Sequence, residues 1–257
     1  MITIKNICKS FDDKAVLKDI STVFDKGKTN LIIGRSGSGK TVLMKTLIGL
    51  IRPESGEILY NDRNLTTMNK TELKTLRREM GMLFQGSALF DSMTVLENVM
   101  FPLTMFTRES KKEREKRAKF CLERVNLIDA DHLSTGELSG GMMKRVAIAR
   151  AIALNPDFLF CDEPNSGLDP KTALLIDDLI HDITKEYNIT TVINTHDMNS
   201  VMNIGEKIIF IYEGEKAWEG TKNEIMSSTN TKLNDFVFAS DLFRKVKEVE
   251  SLFNEEG

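Results

Sequence analysis

The residues best suited to hold an anion are GRSGSGKT, that is Gly34, Arg35, Ser36, Gly37, Ser38, Gly39, Lys40 and Thr41, with Val42 directly after them. The apolar run Leu31-Ile32-Ile33 precedes them and apolar residues at helical spacing follow, so a strand meets a Gly-rich turn that opens a helix. Glycines 34, 37 and 39 let backbone amides turn inward around phosphate oxygens, and the helix N-terminus adds partial positive charge. Lys40 then reaches the outer phosphates, and Thr41 offers a hydroxyl to magnesium. A plain Gly-Ser turn lacks this strand-to-helix context.

Two further stretches carry chemistry. Phe158 to Glu163 is an apolar strand ending in two carboxylates. Burial beside the strand that leads into GRSGSGKT, a phosphate-binding P-loop, puts Asp162 at the C-terminal edge of a parallel sheet, where ligands bind. Asp162 there holds magnesium through water, and Glu163 polarises an attacking water. Alone, an Asp-Glu pair is ordinary surface; the P-loop gives it weight. The second stretch is Leu138, Ser139, Gly140, Gly141 and Met142, followed by Met143, Lys144 and Arg145. Adjacent glycines after Ser139 at the start of a long helix form a second anion-binding end. The P-loop already serves this chain's own phosphates, so this end is expected to serve a nucleotide on another subunit. Taken by itself, the string also reads as a serine-capped helix start. His132 and His181 match no motif and read as ordinary polar positions.

The elements that position these residues follow from periodicity. Residues 2 to 33 read as short strands, with turns at Asp12-Asp13 and around Gly27. A buried helix is expected from Thr41 to Leu50, a strand over Gly56 to Tyr60 and another over Gly81 to Phe84. Residues 108 to 120 are a dense mixed-charge helix whose alternating signs suit a solvated face. A second long helix runs over 139 to 154. Strands at Phe158 to Cys161, Thr190 to Asn194, 207 to 213 and 216 to 218 surround a helix at 171 to 187. Strands at both ends enclosing helices argue for one α/β core with a helical insertion. From residue 232, Phe236, Ala239, Leu242, Phe243, Val246, Val249, Leu252 and Phe253 recur at helical spacing, an amphipathic tail for this chain's own core or for a second subunit.

The 257 residues are 41% hydrophobic and 28% charged, a composition that supports a packed core. A net charge of -3 and a pI near 5.8 give no basic field, which argues against a nucleic-acid partner. Cys8, Cys121 and Cys161 are odd in number and scattered, as free thiols in a reducing compartment are. The start lacks a charged leader before an apolar run, and no run approaches the ~18 apolar residues of a membrane span, so the chain is not expected to cross or anchor in a bilayer by itself.

In order along the chain stand Phe11, the P-loop, Gln85 after an apolar strand, LSGGM, Asp162-Glu163, Ser166-Gly167-Leu168-Asp169, and His196 after another apolar strand. Nearly the whole chain in this order resembles the ABC transporter ATPases. The resemblance implies an α/β fold: a RecA-like P-loop core with an antiparallel β subdomain over residues 1–88 and 155–220, an inserted α-helical signature subdomain over 89–154, and a helical tail over 221–257. It implies ATP and Mg2+ as ligands. Phe11 is then the adenine-stacking aromatic, and Gln85 contacts magnesium or the lytic water from a loop that senses a membrane partner. Leu138 to Met142 close on the γ-phosphate of the opposite subunit, Asp169 links the two sites, and His196 bonds the γ-phosphate and orients Glu163. The catalytic set is Glu163, His196, Gln85 and Lys40; Thr41, Gln85 and Asp162 are the metal ligands.

Departures from the pattern are Phe11 for Tyr, Met142 for Gln and Asn165 for Thr, none of which removes a phosphate donor. The LSGGM ending, Leu89 to Val95, Glu97-Asn98-Val99, Pro102-Leu103 and Leu233 to Phe236 resemble the Mla-type branch, linked to phospholipid movement between bacterial membranes. The partners implied are a second copy, an integral permease docking beside Gln85 and residues 86 to 107, and a lipid-binding protein beyond the membrane. The working place implied is the cytoplasmic face of the inner membrane. Other ABC importers and the cell-division signalling branch share the hydrolytic residues and stay open at this point. Soluble ABC proteins of DNA or ribosomes usually carry two cassettes or a long coiled coil, whereas this chain has one P-loop and no sustained heptads. A plain P-loop kinase leaves LSGGM and His196 unexplained.

Overall fold

A computed structural model of the chain describes residues 1–239. Strands β1 (Ile2–Phe11) and β2 (Lys14–Phe24) form a hairpin around Asp12 and Asp13, whose φ of 45° and 64° suit a tight primed turn. These strands are long rather than short. Register shifts bend the ribbon without breaking it, and at one of them Asn6 Nδ2 donates to Asp19 Oδ1 at 2.6 Å. With β4 (Ser55–Tyr60) and β5 (Arg63–Asn64) they make an antiparallel sheet ordered β2-β1-β4-β5.

The second sheet carries the chemistry. Its members are β3 (Thr29–Ile33), β6 (Met80–Leu83), β7 (Phe158–Asp162), β8 (Thr190–Thr195), β9 (Lys207–Tyr212) and β10 (Glu215–Gly220), in the order β10-β9-β3-β8-β7-β6. All neighbours pair in parallel except β10 with β9. Both faces of the central strands are covered, so their side chains alternate between two apolar cores. Ile32, Phe158 and Phe160 point to the core shared with the antiparallel sheet and α1 (Lys40–Leu47). Leu31, Ile33, Leu159 and Cys161 point to the core shared with the helices.

Those helices are α3 (Val95–Phe106), α4 (Lys111–Arg124), α5 (Gly140–Ile152) and α6 (Pro170–Glu186). Their starts are fixed by capping residues. Thr94 with Glu97 and Ser110 with Glu113 form capping boxes, which is why α4 begins three residues later than the charge run suggested. Gly49, at φ 70°, ends α1 before Leu50. Three helices went unread in the sequence: α3 itself, α2 (Lys70–Arg78), and α7 (Met198–Ile204), which follows His196.

After β10 come α8 (Lys222–Met226) and α9 (Thr231–Val237). Leu233 and Val237 are buried, and Phe236 stacks on Phe210 at 5.3 Å, so this part of the tail packs on its own chain. Leu242, Phe243, Val246, Val249, Leu252 and Phe253 lie outside the described residues. Among the described residues, no helix is long and apolar enough to cross a membrane.

Candidate functional site

Four parallel strands deliver their following loops to one edge. β3 gives the P-loop, β6 gives Gln85, β7 gives Asp162 and Glu163, and β8 gives His196. A cavity of about 540 Å³ opens there, lined by Arg35, Ser36, Gly37, Gly39, Lys40, Thr41, Val42, Gln85, Glu163 and His196. The P-loop can adopt its path because Gly34 and Gly39 have φ of 152° and 109°. A Cβ on Gly34 would lie 2.3 Å from the Ile211 carbonyl oxygen, and one on Gly39 would lie 2.8 Å from that of Val16.

Lys40 is buried and donates to the carbonyls of Gly34 at 2.8 Å and Arg35 at 3.2 Å. Burial pushes its ammonium below the usual value, while Glu163 and Asp162 pull it back up. The Ser38 hydroxyl is buried without a protein partner, as a phosphate-directed donor would be.

Glu163 sits at φ 50°, a left-handed conformation that costs about 1–2 kcal/mol in a non-glycine residue. It is held there by its amide, which donates to the Asn194 carbonyl at 3.0 Å. Its carboxylate meets His196 Nδ1 at 2.9 Å. Asp162 accepts from Asn194 Nδ2 at 3.0 Å, so β8 braces both acids.

Thr41, Gln85 and Asp162 would supply a hydroxyl, an amide oxygen and a carboxylate. This is a sparse, hard set that suits magnesium arriving with nucleotide phosphates. Among the described residues, no group of three or more His, Cys, Asp or Glu is placed to hold a metal ion.

The remaining expected residues stand apart. Phe11 is exposed at the end of β1 with Lys9 Nζ 5.1 Å from its ring centre; Val16 lines the cavity and Phe11 does not. None of Leu138, Ser139, Gly140, Gly141 or Met142 lines the cavity. Ser139 caps α5, accepting from the Met142 amide at 3.2 Å. Gly141 packs so closely on Thr172 that a Cβ would lie 2.7 Å from its methyl group. Asp169 caps α6 and bonds Thr172, which holds its carboxyl below the usual range.

Several contributors went unrecognised. Val16 and Phe236 line the cavity through tertiary packing that no local pattern reports. Lys144 donates to the Gln85 carbonyl, and Arg150 donates to the carbonyls of Ser87 at 2.7 Å and Ala88 at 2.8 Å. Helix α5 thereby grips the segment after β6 from both ends. Beside it lies an apolar groove of about 490 Å³ lined by Phe84, Phe90, Phe101, Pro102 and Phe106 among others.

Comparison with known proteins gives this site a family. Residues 17–166 match the family model described as ABC transporter. The chain is 40% identical over 232 residues to the methionine import ATP-binding protein MetN of Clostridioides difficile, covering 90% of this chain and 72% of that one. It is 35% identical over 237 residues to the intermembrane phospholipid transport system ATP-binding protein MlaF of Haemophilus influenzae, covering 92% and 90%. Its fold matches a dimeric structure of MJ0796, a bacterial ABC transporter cassette, with TM-score 0.79 and 35% identity over 86% of this chain and 98% of that one. It also matches cbiO1 of Clostridium perfringens, part of the ABC transporter complex cbiONQ, with TM-score 0.82 and 26% identity over 97% and 98%. With a nucleotide cradle, a carboxylate bonded to a histidine beside it, and a family model spanning more than half its length, the chain belongs to the ABC transporter family as an ATPase that takes ATP and Mg2+.

Proposed function

We propose that two copies of this chain close on two ATP molecules and drive an integral permease that moves phospholipid between bacterial membranes. The observation that carries the paired site is the separation within one chain: the P-loop cavity holds Glu163 and His196 but none of the LSGGM residues. A second copy would bring its own Leu138 to Met142 to that cavity, so that the amides at the start of α5 face the γ-phosphate. Lys40 would bind the outer phosphates and Phe11 the adenine. Glu163 takes the proton of the attacking water, and His196 orients it. Asp169 lies in the segment that packs against the signature glycines and would relay between the two sites. Thr41, Gln85 and Asp162 would hold magnesium, whose chemistry is to neutralise charge developing on the phosphates. ATP binding closes the pair and cleavage reopens it.

The groove of Phe84, Phe90 and Phe101 supports a permease partner, because an exposed aromatic groove touching the Gln85 segment through Arg150 suits a docked apolar helix. On this reading the chain works as a peripheral subunit on the cytoplasmic face of the inner membrane, with a lipid-binding protein further along the cargo path. The LSGGM ending and the relationship to MlaF support phospholipid as cargo. The 40% identity to MetN supports a second reading, an amino-acid importer.

Isolation of the membrane protein that accompanies a tagged copy, followed by ATPase assays of that complex in vesicles, separates the two. Stimulation by phospholipid acceptor and donor membranes is expected. Stimulation by methionine with a binding protein instead would replace the lipid reading with the importer reading.

A further inference from the structure

Behind Glu163 and His196 lies a buried polar contact that joins the loops carrying them. Asn165, two residues after Glu163, donates from Nδ2 to Asp177 Oδ1 at 2.7 Å and to Ser200 Oγ at 3.0 Å. Asp177 belongs to α6 and Ser200 to α7, the helix that starts directly after His196. Asp177 and Ser200 are each 1% exposed, and the Asp177 carboxylate also bonds Ser200. Three separate elements therefore meet at one carboxylate that touches none of the cavity. Asn165 is also where the chain departs from the family's usual Thr, and its longer amide is what reaches both partners.

We propose that Asn165, Asp177 and Ser200 form a positioning strut that fixes the Glu163 loop against the His196 loop and so holds the 2.9 Å contact between base and histidine in register. The physical case rests on cost and geometry. Burial pushes the Asp177 carboxyl up to about 6, so a charged group is held at neutral pH in surroundings that disfavour it. Only replacing all three side chains by apolar groups would escape that penalty, because loss of the carboxylate alone leaves the Asn165 amide and the Ser200 hydroxyl without their acceptor. The backbone of the Glu163 loop is itself strained at φ 50° and anchored to β8 by one amide bond, so a second anchor on its far side limits its swing. Misplacement of a base by about 1 Å is enough to lower turnover about 100-fold.

The inference rests on Glu163 acting as the base, and the experiment separates the two. In the full chain with its membrane partner, Asp177→Leu is expected to lower kcat about tenfold, the scale of an outer-sphere partner, with KM for ATP changed less than twofold; Tm falls by a few degrees because two buried donors lose their acceptor, and the chain stays folded at the assay temperature. Asp177→Asn keeps one acceptor for Asn165 and is expected to retain at least half of kcat. A structural post predicts otherwise: a loss of kcat in Asp177→Leu that only matches its loss of folded protein, or that Asp177→Asn shares in full, would overturn the strut, as would full kcat in Asp177→Leu. Glu163→Gln is assayed in parallel. If it turns over normally, the base assignment fails; if it is inactive while Asp177→Leu is fully active, only the strut fails.

Discussion

The two anion-binding ends of this chain are built alike and finished differently. Each is a helix start approached through glycines, α1 behind the P-loop and α5 behind Ser139. The P-loop end is furnished: it has a cavity open to solvent, a buried lysine, a carboxylate and a histidine, all from its own chain. The Ser139 end has a cap and a close fit of Gly141 against Thr172, and none of Leu138 to Met142 lines the cavity that holds Glu163 and His196. Helix N-termini attract anions wherever they occur, so charge alone does not distinguish these ends. What separates them is completion within the chain, and that difference is the physical argument for a twin.

The hardest test falls on the P-loop end. Glu163→Gln removes the proton acceptor and keeps the shape, so ATP turnover is expected to fall on the order of 10³-fold while ATP still binds and closed dimers accumulate. Phosphate release and light scattering read these together, and rapid turnover would remove Glu163 from the role of base. Next, Lys40→Ala should weaken ATP binding about 100-fold, the scale of a lost charge-assisted contact, as measured by titration calorimetry. Unchanged affinity would dissolve the cradle.

The comparison itself is sharpest in a mixture. Ser139→Ala chains keep an intact P-loop, and Lys40→Ala chains keep an intact signature end. Each alone should have about one-tenth or less of normal turnover, yet the two mixed should recover activity, because one composite site in each mixed pair is whole. Failure to recover, with mixed pairs demonstrated by differential tags, would mean that each chain completes its own site.

Much of this site was legible because its residues sit where strand ends and helix starts leave local marks. GRSGSGKT, Asp162-Glu163 and LSGGM each join a periodicity change to residues of special backbone or charge, and the sheet order brings the first two to one edge. Helix α3 was missed although Thr94 and Glu97 form a capping box, because Pro102 inside the helix argues against a continuous run. Helix α2 carries a similar box, Asn69 with Glu72, but exposes most of its surface and buries only Leu76, so the apolar stripe is thin. Lys144, Arg150, Asp177 and Ser200 could not be read, since their partners lie on other elements and no spacing along the chain encodes them. Asn165 was visible only as a departure, and its reason appears once α6 and α7 are packed.

A smaller effect tests how the Ser139 end is tied to the groove. Arg150→Lys keeps the charge and loses the fork that spans the carbonyls of Ser87 and Ala88. Basal hydrolysis should stay within about twofold while stimulation by the membrane partner falls about threefold to fivefold, the worth of one such hydrogen bond. Equal losses in both rates would place Arg150 in general stability instead of coupling.

A final effect leaves turnover aside and is one of stability, where Asp177 and Asp169 contrast by pH. The Asp177 carboxyl, raised from 3.8 to about 6, holds its proton more tightly folded than unfolded. Between those values the native state binds more protons, so stability falls as pH rises through this window and the full penalty, on the order of 3 kcal/mol, is present above pH 6. Asp177→Asn should therefore raise Tm by several degrees at pH 7.5, with the gain shrinking as pH drops and vanishing near pH 4. Asp169, at the Ser139 end, has the opposite displacement through its bonds to Thr172, so Asp169→Asn should lower Tm at pH 7.5 and converge with the parent in acid. Parallel melts of the two variants should shift in opposite directions at pH 7.5 and both converge on the parent in acid. Melts that move together would mean that burial of Asp177 is not the source of its cost.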